Sequence, residues 1–201
     1  MLVYVYNNAN NTVEAYNRNL TDPMPYVSGR TLTLGEFKNT SNTNILWTDR
    51  RAMVAWNTLR RNYGKSIFVE YAFSRISQGG HTNQSQHYAG VAFDVGQNLD
   101  NAGRAALRAV AVNSGVWSYV EPGSLTPHWV HVDKRLSPPA CPVGGYPAVG
   151  MGSKGVYVFV LQDALMSIGY TGTGLDGAFG PGTGRAVVRF QGSQGFQQLG
   201  W

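Results

Sequence analysis

Apolar residues recur with helical spacing in the segment that follows Asp49. Four of them are separated by steps of four, three and four positions, which places them on one face of a helix: Ala52, Trp56, Leu59 and Tyr63. Thr48-Asp49 is typical of a helix N-cap, and Gly64 is expected to end the helix.

The same pattern analysis predicts a second helix and three strands. The helix runs from Asn101 to Asn113, with Asp100 as its cap and Gly115 as its stop. Strands are predicted at 66–72, 116–121 and 129–133. Residues 1–46 are rich in asparagine and turn signals. Helix, strand, loop, helix and two strands in this order predict an α+β fold.

A stretch rich in proline and glycine interrupts the chain at residues 137–153. Such a segment cannot continue a helix or a central strand, so we interpret it as a linker between a domain at 1–136 and a smaller one at 154–201. In the smaller domain, helical spacing predicts a helix at 154–168, then a glycine-rich loop, then a helix that begins at Pro181.

Composition and charge narrow the functional classes. Only 13% of the 201 residues are charged, against about 25% in an average protein, which favours a secreted or wall-associated protein. The net charge of +5 is spread over single and paired basic residues, so no nucleic-acid partner is expected. No apolar run is long enough for a membrane span.

Two further features concern export and redox chemistry. The N-terminus has no basic region followed by an apolar stretch, so no secretory signal is visible, and release through a phage-type or sporulation-linked route is an alternative. The single cysteine, Cys141, excludes an intramolecular disulfide. We interpret it as an unreactive thiol in the linker.

The four histidines fall in two places, His81 with His87 and His128 with His131. Two imidazoles and a carboxylate such as Asp94 can form a hydrolytic zinc site with one position left open for water. The spacing alone leaves a metal site and ordinary polar loops as equal alternatives.

The motif Ser85-x-His87-x-x-Gly90-x-Ala92-x-Asp94, followed by His131 in Trp129-Val130-His131-Val132-Asp133, resembles the zinc D-Ala-D-Ala carboxypeptidase/endopeptidase family. This VanX/VanY-like family is related to phage endolysins, and the resemblance covers about 30–136. It implies a hedgehog/D,D-peptidase-like zinc domain with one Zn²⁺ per chain. The implied metal ligands are His87, Asp94 and His131.

The resemblance also implies residues that contact the substrate. Arg75, in Tyr71-Ala72-Phe73-Ser74-Arg75, matches the arginine that binds the substrate carboxylate in such enzymes, and a guanidinium suits that role. Ser85 either contacts the substrate or shapes the loop. For His81, an exposed loop position is preferred over a contact with substrate.

The catalytic base is where this sequence departs from the family pattern. Relatives usually carry Glu or Asp three residues before the last ligand, whereas this chain has His128 there. A neutral imidazole can accept a proton from water, so His128 is the first candidate. Asp133 and Glu121 are the alternatives.

The C-terminal segment resembles the peptidoglycan-binding repeat, a three-helix wall-anchoring module. The resemblance rests on Val160-Leu161-Gln162-x-x-Leu165, on Leu175-Asp176-Gly177-x-Phe179-Gly180-Pro181-x-Thr183 and on Ala186-Val187-x-x-Phe190-Gln191. The usual third helical segment is shortened to 195–201.

The two resemblances imply the same partner, peptidoglycan. We expect the protein to be a monomer. They imply a bacteriolytic zinc metallopeptidase that cleaves an amide bond in the stem peptide or cross-link, as a D,D-carboxypeptidase or endopeptidase. The alternative is a zinc-containing wall-binding protein without turnover. A protease of general specificity is disfavoured by the C-terminal module.

Overall fold

The computed structural model describes residues 1–140 and 145–196. Cys141 and most of the shortened third segment of the C-terminal module lie outside the described residues. The helices and strands are β1 (Leu2–Asn7), β2 (Thr12–Asn17), α1 (Leu34–Lys38), β3 (Ile45–Asp49), α2 (Arg50–Tyr63), β4 (Val69–Tyr71), β5 (Ala92–Val95), α3 (Asn101–Ser114), β6 (Tyr119–Val120), β7 (Val130–Asp133), α4 (Val156–Ser167) and α5 (Pro181–Ser193). A short 3-10 helix spans Ile76–Gln78.

The asparagine-rich N-terminal region forms a three-stranded sheet in the order β2-β1-β3. β1 and β2 are an antiparallel hairpin, and β1 pairs in parallel with β3. The alternation along β1 buries Val3 and Val5 completely. In the sequence, the turn signals around β1 obscure this alternation of buried and exposed residues. A description of residues 1–46 by turns alone therefore misses the sheet.

A second sheet, in the order β4-β5-β7-β6, is antiparallel throughout. The helices α2 and α3 pack against each other, and α3 also contacts β7. Strand β5 lies within the stretch for which the sequence predicted a loop between strand and helix. Its four residues are too few to show a period, and the strand forms because β4 and β7 pair with it on both sides.

The predicted helix boundaries are confirmed where local chemistry sets them. Asp49 caps α2 by accepting a hydrogen bond from the Arg51 amide, and Gly64 ends the helix in the left-handed conformation. Asp100 and Gly115 play the same two roles for α3. The α+β class is therefore confirmed, whereas the hedgehog/D,D-peptidase-like arrangement stays a prediction.

The small C-terminal helical module consists, in the described residues, of α4, α5 and the loop between them. Gln162 is fully buried at its centre. Its side-chain amide accepts hydrogen bonds from the Asp176 and Gly177 amides and donates to Thr183. One buried amide thus satisfies the backbone N–H groups of the turn at Asp176-Gly177.

The first helix of this module also belongs to the core of the larger domain. Phe159 of α4 stacks on Trp47 of β3, with ring centroids 5.2 Å apart and an interplanar angle of 6°, and it contacts Tyr4 of β1. The two parts therefore share one hydrophobic cluster. The domain limits at 136 and 154 stay a prediction.

The backbone conformation at Gly90 explains why the histidine motif has a glycine at this position, and it leads to a stability prediction. Its φ is +67°, and a Cβ atom there would lie 2.0 Å from the Trp47 carbonyl oxygen. Gly115 has a similar φ of +64°, and apart from its own helix and chain neighbours no atom of the described residues lies within 4 Å of a Cβ there. We expect Gly115→Ala to cost about 1 kcal/mol of unfolding free energy, and Gly90→Ala about 2–3 kcal/mol more because of the clash.

Urea denaturation of both variants measures this difference. Equal losses of unfolding free energy would contradict the close approach of Gly90 to β3.

Candidate metal centre

One row of side chains crosses the second sheet and defines the site. Asp94 of β5 is the register partner of His131 of β7, and Tyr71 of β4 is the partner of Asp94. On the other side of β7, the Glu121 amide donates to the His131 carbonyl at 3.0 Å, which continues the β6–β7 pairing. Directly opposed residues in antiparallel strands project from the same face, so Asp94, His131 and Glu121 share one face.

His87 joins this row from the loop that precedes β5. The side chains of His87, Asp94 and His131 each offer a ligand atom, and these atoms lie within 4.8 Å of one another. His87 is buried, whereas Asp94 and His131 remain 16% and 14% exposed at their side chains. One side of the triad is thus closed by protein and the other is open to the cleft.

The surroundings of His87 fit a metal ligand. Its Nδ1 lies 3.2 Å from the Ala72 carbonyl oxygen, an acceptor that requires the proton on Nδ1. Its Nε2 is buried, has no hydrogen-bond partner among the described residues and lies 3.3 Å from Asp94 Oδ2. A histidine ligand usually donates its other ring N–H in this way, which leaves the free lone pair for the metal.

His131 is held between two carboxylates. Its Nδ1 lies 2.6 Å from Asp94 Oδ1 and its Nε2 lies 3.1 Å from Asp133 Oδ2. Burial alone would lower the pKa of His131, but the hydrogen bonds and charges of Asp133 and Asp94 raise it to about 9. Burial disfavours the ionised form of Asp94, but its contacts with His131 and His87 favour that form more strongly. The pKa of Asp94 therefore lies well below its usual value. The pair of carboxylates thus favours positive charge at the site, which is what a cation supplies.

Asp133 is a supporting carboxylate. It is fully buried, and both of its carboxylate oxygens accept from Arg135, whose Nε lies 2.8 Å from Oδ1 and 3.0 Å from Oδ2. Burial raises the pKa of Asp133, but the bonds from Arg135 and His131 outweigh that effect and lower it. Asp133 therefore orients His131, and its commitment to two partners disfavours it as the catalytic base.

The triad opens into a cleft of about 740 Å³. Among the described residues that line it are Ser85, Glu121, Trp129 and Arg135. The first-ranked base, His128, is exposed and does not belong to this lining set. His128 lies in a turn before β7, whereas Glu121, another candidate of the sequence analysis, lines the cleft. This arrangement favours Glu121, and the identity of the base stays a prediction.

Arg75 also lies elsewhere than the resemblance implied. It forms an ion pair with Asp163 of α4, and its guanidinium lies 5.1 Å from the centre of the Trp47 ring. Arg75 is absent from the described residues that line the cleft. These contacts disfavour Arg75 as the residue that binds a substrate carboxylate, and that role stays a prediction. Among the described residues that line the cleft, Arg135 supplies a guanidinium. The sequence analysis did not consider Arg135, because only its place two residues after Asp133 distinguishes it.

Ser85 lines the cleft and also shapes the loop. Its hydroxyl accepts a hydrogen bond from the His87 amide at 3.3 Å. Both interpretations of Ser85 are compatible with this position, and its contact with substrate stays a prediction.

His81 is not the exposed loop residue that the sequence favoured. Its ring stacks on His87, with centroids 4.4 Å apart and an angle of 19°, and it meets Tyr71 edge to face. Burial and the neighbouring His87 lower the pKa of His81 to about 4. A neutral His81 packs on His87 and lines the same cleft.

The comparisons with known proteins concern the C-terminal module. Residues 154–198 match the family model described as "Putative peptidoglycan binding domain". No curated protein and no solved structure matches the chain. The match supports peptidoglycan as a partner and association with the cell wall. Within the described residues, no helix combines the length and apolar character needed to cross a membrane.

Proposed function

We propose that this protein is a zinc-dependent peptidoglycan hydrolase. The observation that carries the proposal is the convergence of His87, Asp94 and His131 beside an open cleft, in a chain whose C-terminal module matches a wall-binding family. Two nitrogen ligands and one carboxylate, with room for a further ligand, are the donor set of hydrolytic zinc sites.

His87, Asp94 and His131 would hold the metal. When bound, Zn²⁺ polarises a carbonyl group and lowers the pKa of water. Asp133 keeps the His131 ring oriented through Nε2, and the Ala72 carbonyl does the same for His87 through Nδ1. These outer contacts support the basicity of the two imidazoles.

Glu121 is the proposed general base. It lies beside His131 across the β6–β7 pair and lines the cleft. Its carboxylate would take a proton from the attacking water and deliver it to the nitrogen of the leaving amine, so that the amide bond breaks with no net change at Glu121. Arg135 lines the cleft beside its ion pair with Asp133, and its guanidinium would bind a substrate carboxylate, the group that ends a D-Ala-D-Ala stem.

The bond that we propose is cleaved is an amide bond of the stem peptide or of the cross-link, as in a D,D-carboxypeptidase or endopeptidase. A wall-binding module raises the local concentration of an insoluble substrate at the cleft. This makes weak binding in the active site sufficient for turnover.

Digestion of purified peptidoglycan tests the proposal. We expect new free amino or carboxyl termini, identified by mass spectrometry of the soluble fragments. Chelation of the metal should abolish their release, and added zinc should restore it. Activity that persists without any metal would contradict a zinc hydrolase.

A non-catalytic wall-binding protein is the second candidate. It is favoured by the histidine at position 128, where relatives of the zinc peptidases place an acidic residue. Sedimentation with peptidoglycan and zinc binding, both without release of fragments, would support this alternative.

A further inference from the structure

The loop that carries His87 is held by residues of the proline- and glycine-rich segment and of α4. The Tyr146 hydroxyl donates to the Ser85 carbonyl at 2.6 Å. The Gln86 side chain lies between the Gly145 carbonyl, 3.0 Å from its Nε2, and the Tyr157 hydroxyl, 2.9 Å from its Oε1. The two residues directly before the ligand are thus anchored from outside the larger domain.

Tyr157 is the central contact because it joins three parts of the chain. It lies in the first turn of α4, and its side chain is buried together with that of Gln86. Its hydroxyl donates to Gln86 and accepts the Leu136 amide at 3.1 Å. Loss of this hydroxyl would leave a buried amide oxygen without its partner, which favours movement of the loop.

Asp163 of α4 makes a second contact, on the segment between β4 and the loop. It is 1% exposed, pairs with Arg75 and accepts the Ile76 amide at 3.0 Å. That segment begins just after Ala72, whose carbonyl oxygen orients the His87 ring. Through Tyr157 and Asp163, α4 therefore contacts both the residue directly before His87 and the chain that follows Ala72.

We propose that α4 of the wall-binding module positions the metal ligand His87, and that Tyr157 and Asp163 are positioning residues of the metal centre. The inference rests on the proposed metal site but goes beyond it, because it makes the module a structural part of that site in addition to an anchor. A module that served only as a tether would have no buried polar contacts with the ligand loop.

The zinc affinity of full-length variants tests this inference. We expect Tyr157→Phe, which keeps the ring and loses only the hydroxyl, to weaken zinc binding about tenfold or more, the range typical of residues that orient ligands. Tyr170→Phe is the matched comparison, because its hydroxyl contacts Ser193 within the same module, and it should bind zinc as the wild type does. Asp163→Asn should resemble Tyr157→Phe.

A competing chelator gives the affinity, and the absorption spectrum of the cobalt-substituted protein reports the ligand geometry. A change of the cobalt spectrum in Tyr157→Phe, with unchanged circular dichroism, is expected for a positioning role. Should Asp163→Asn fail to fold, Tyr157→Phe decides the question.

Two other outcomes are distinguishable. Equal zinc affinity and an unchanged cobalt spectrum in Tyr157→Phe would overturn the positioning role and leave the metal site intact. A wild-type protein that binds neither zinc nor cobalt would overturn the proposed metal site, and the positioning role with it.

Discussion

His87→Ala is expected to lose the metal and, with it, all release of peptidoglycan fragments. Within the part of the chain that the structure describes, the buried Nε2 has no hydrogen-bond partner and faces Asp94, so its removal takes away one of three converging ligand atoms. We expect zinc affinity to fall by more than about 100-fold, the upper end for residues that merely orient a ligand. Metal content by mass spectrometry, on protein purified without added zinc, should drop from near one ion per chain to a trace.

His128→Ala provides the comparison for this experiment. It also removes a histidine, but an exposed one outside the lining of the cleft, and it should retain zinc. Normal zinc content in His87→Ala would disprove the assigned ligand. A wild-type protein without metal even after reconstitution with zinc would remove the hydrolase proposal and leave a wall-binding protein.

Glu121→Gln is expected to retain zinc and wall binding but to lose turnover by about 100- to 10,000-fold, the usual contribution of a general base. Glutamine keeps the shape of the side chain and cannot accept the proton. Rates of fragment release from purified peptidoglycan, measured on protein with confirmed zinc content, give the effect.

His128→Gln decides between the two candidate bases. We expect it to cleave peptidoglycan at close to the wild-type rate, because His128 is exposed outside the cleft lining. The opposite pattern, with Glu121→Gln active and His128→Gln inactive, would restore the assignment that the sequence suggested.

The helices and their ends followed from local sequence. The caps at Asp49 and Asp100 and the stops at Gly64 and Gly115 lie where side-chain and backbone chemistry predicts them. The C-terminal helices were predicted within two residues of their observed ends where a glycine or Pro181 sets the limit. Such signals depend on a few neighbouring residues, and the sequence contains all of them.

The strands were less predictable because their partners are distant. β5 spans four residues and is defined by pairing with β4 and β7, of which β7 lies more than thirty positions away. The pairing of β6 with β7 sets Glu121 beside His131, whereas His128 lies before β7 in an exposed turn. Spacing along the chain favoured His128 as the catalytic base, whereas the register of the sheet favours Glu121 for that role.

The sequence by itself determined the elements with local signals, the motif that gathers His87, Asp94 and His131, and the wall-binding character of the C-terminal segment. Tertiary structure alone decided which side chains face the cleft, that Arg75 is bound to Asp163, and that α4 shares a core with the larger domain. The physical reason is that caps and periodicity act over a few residues. Strand register and buried ion pairs instead join residues far apart in sequence, and only the folded chain brings them together.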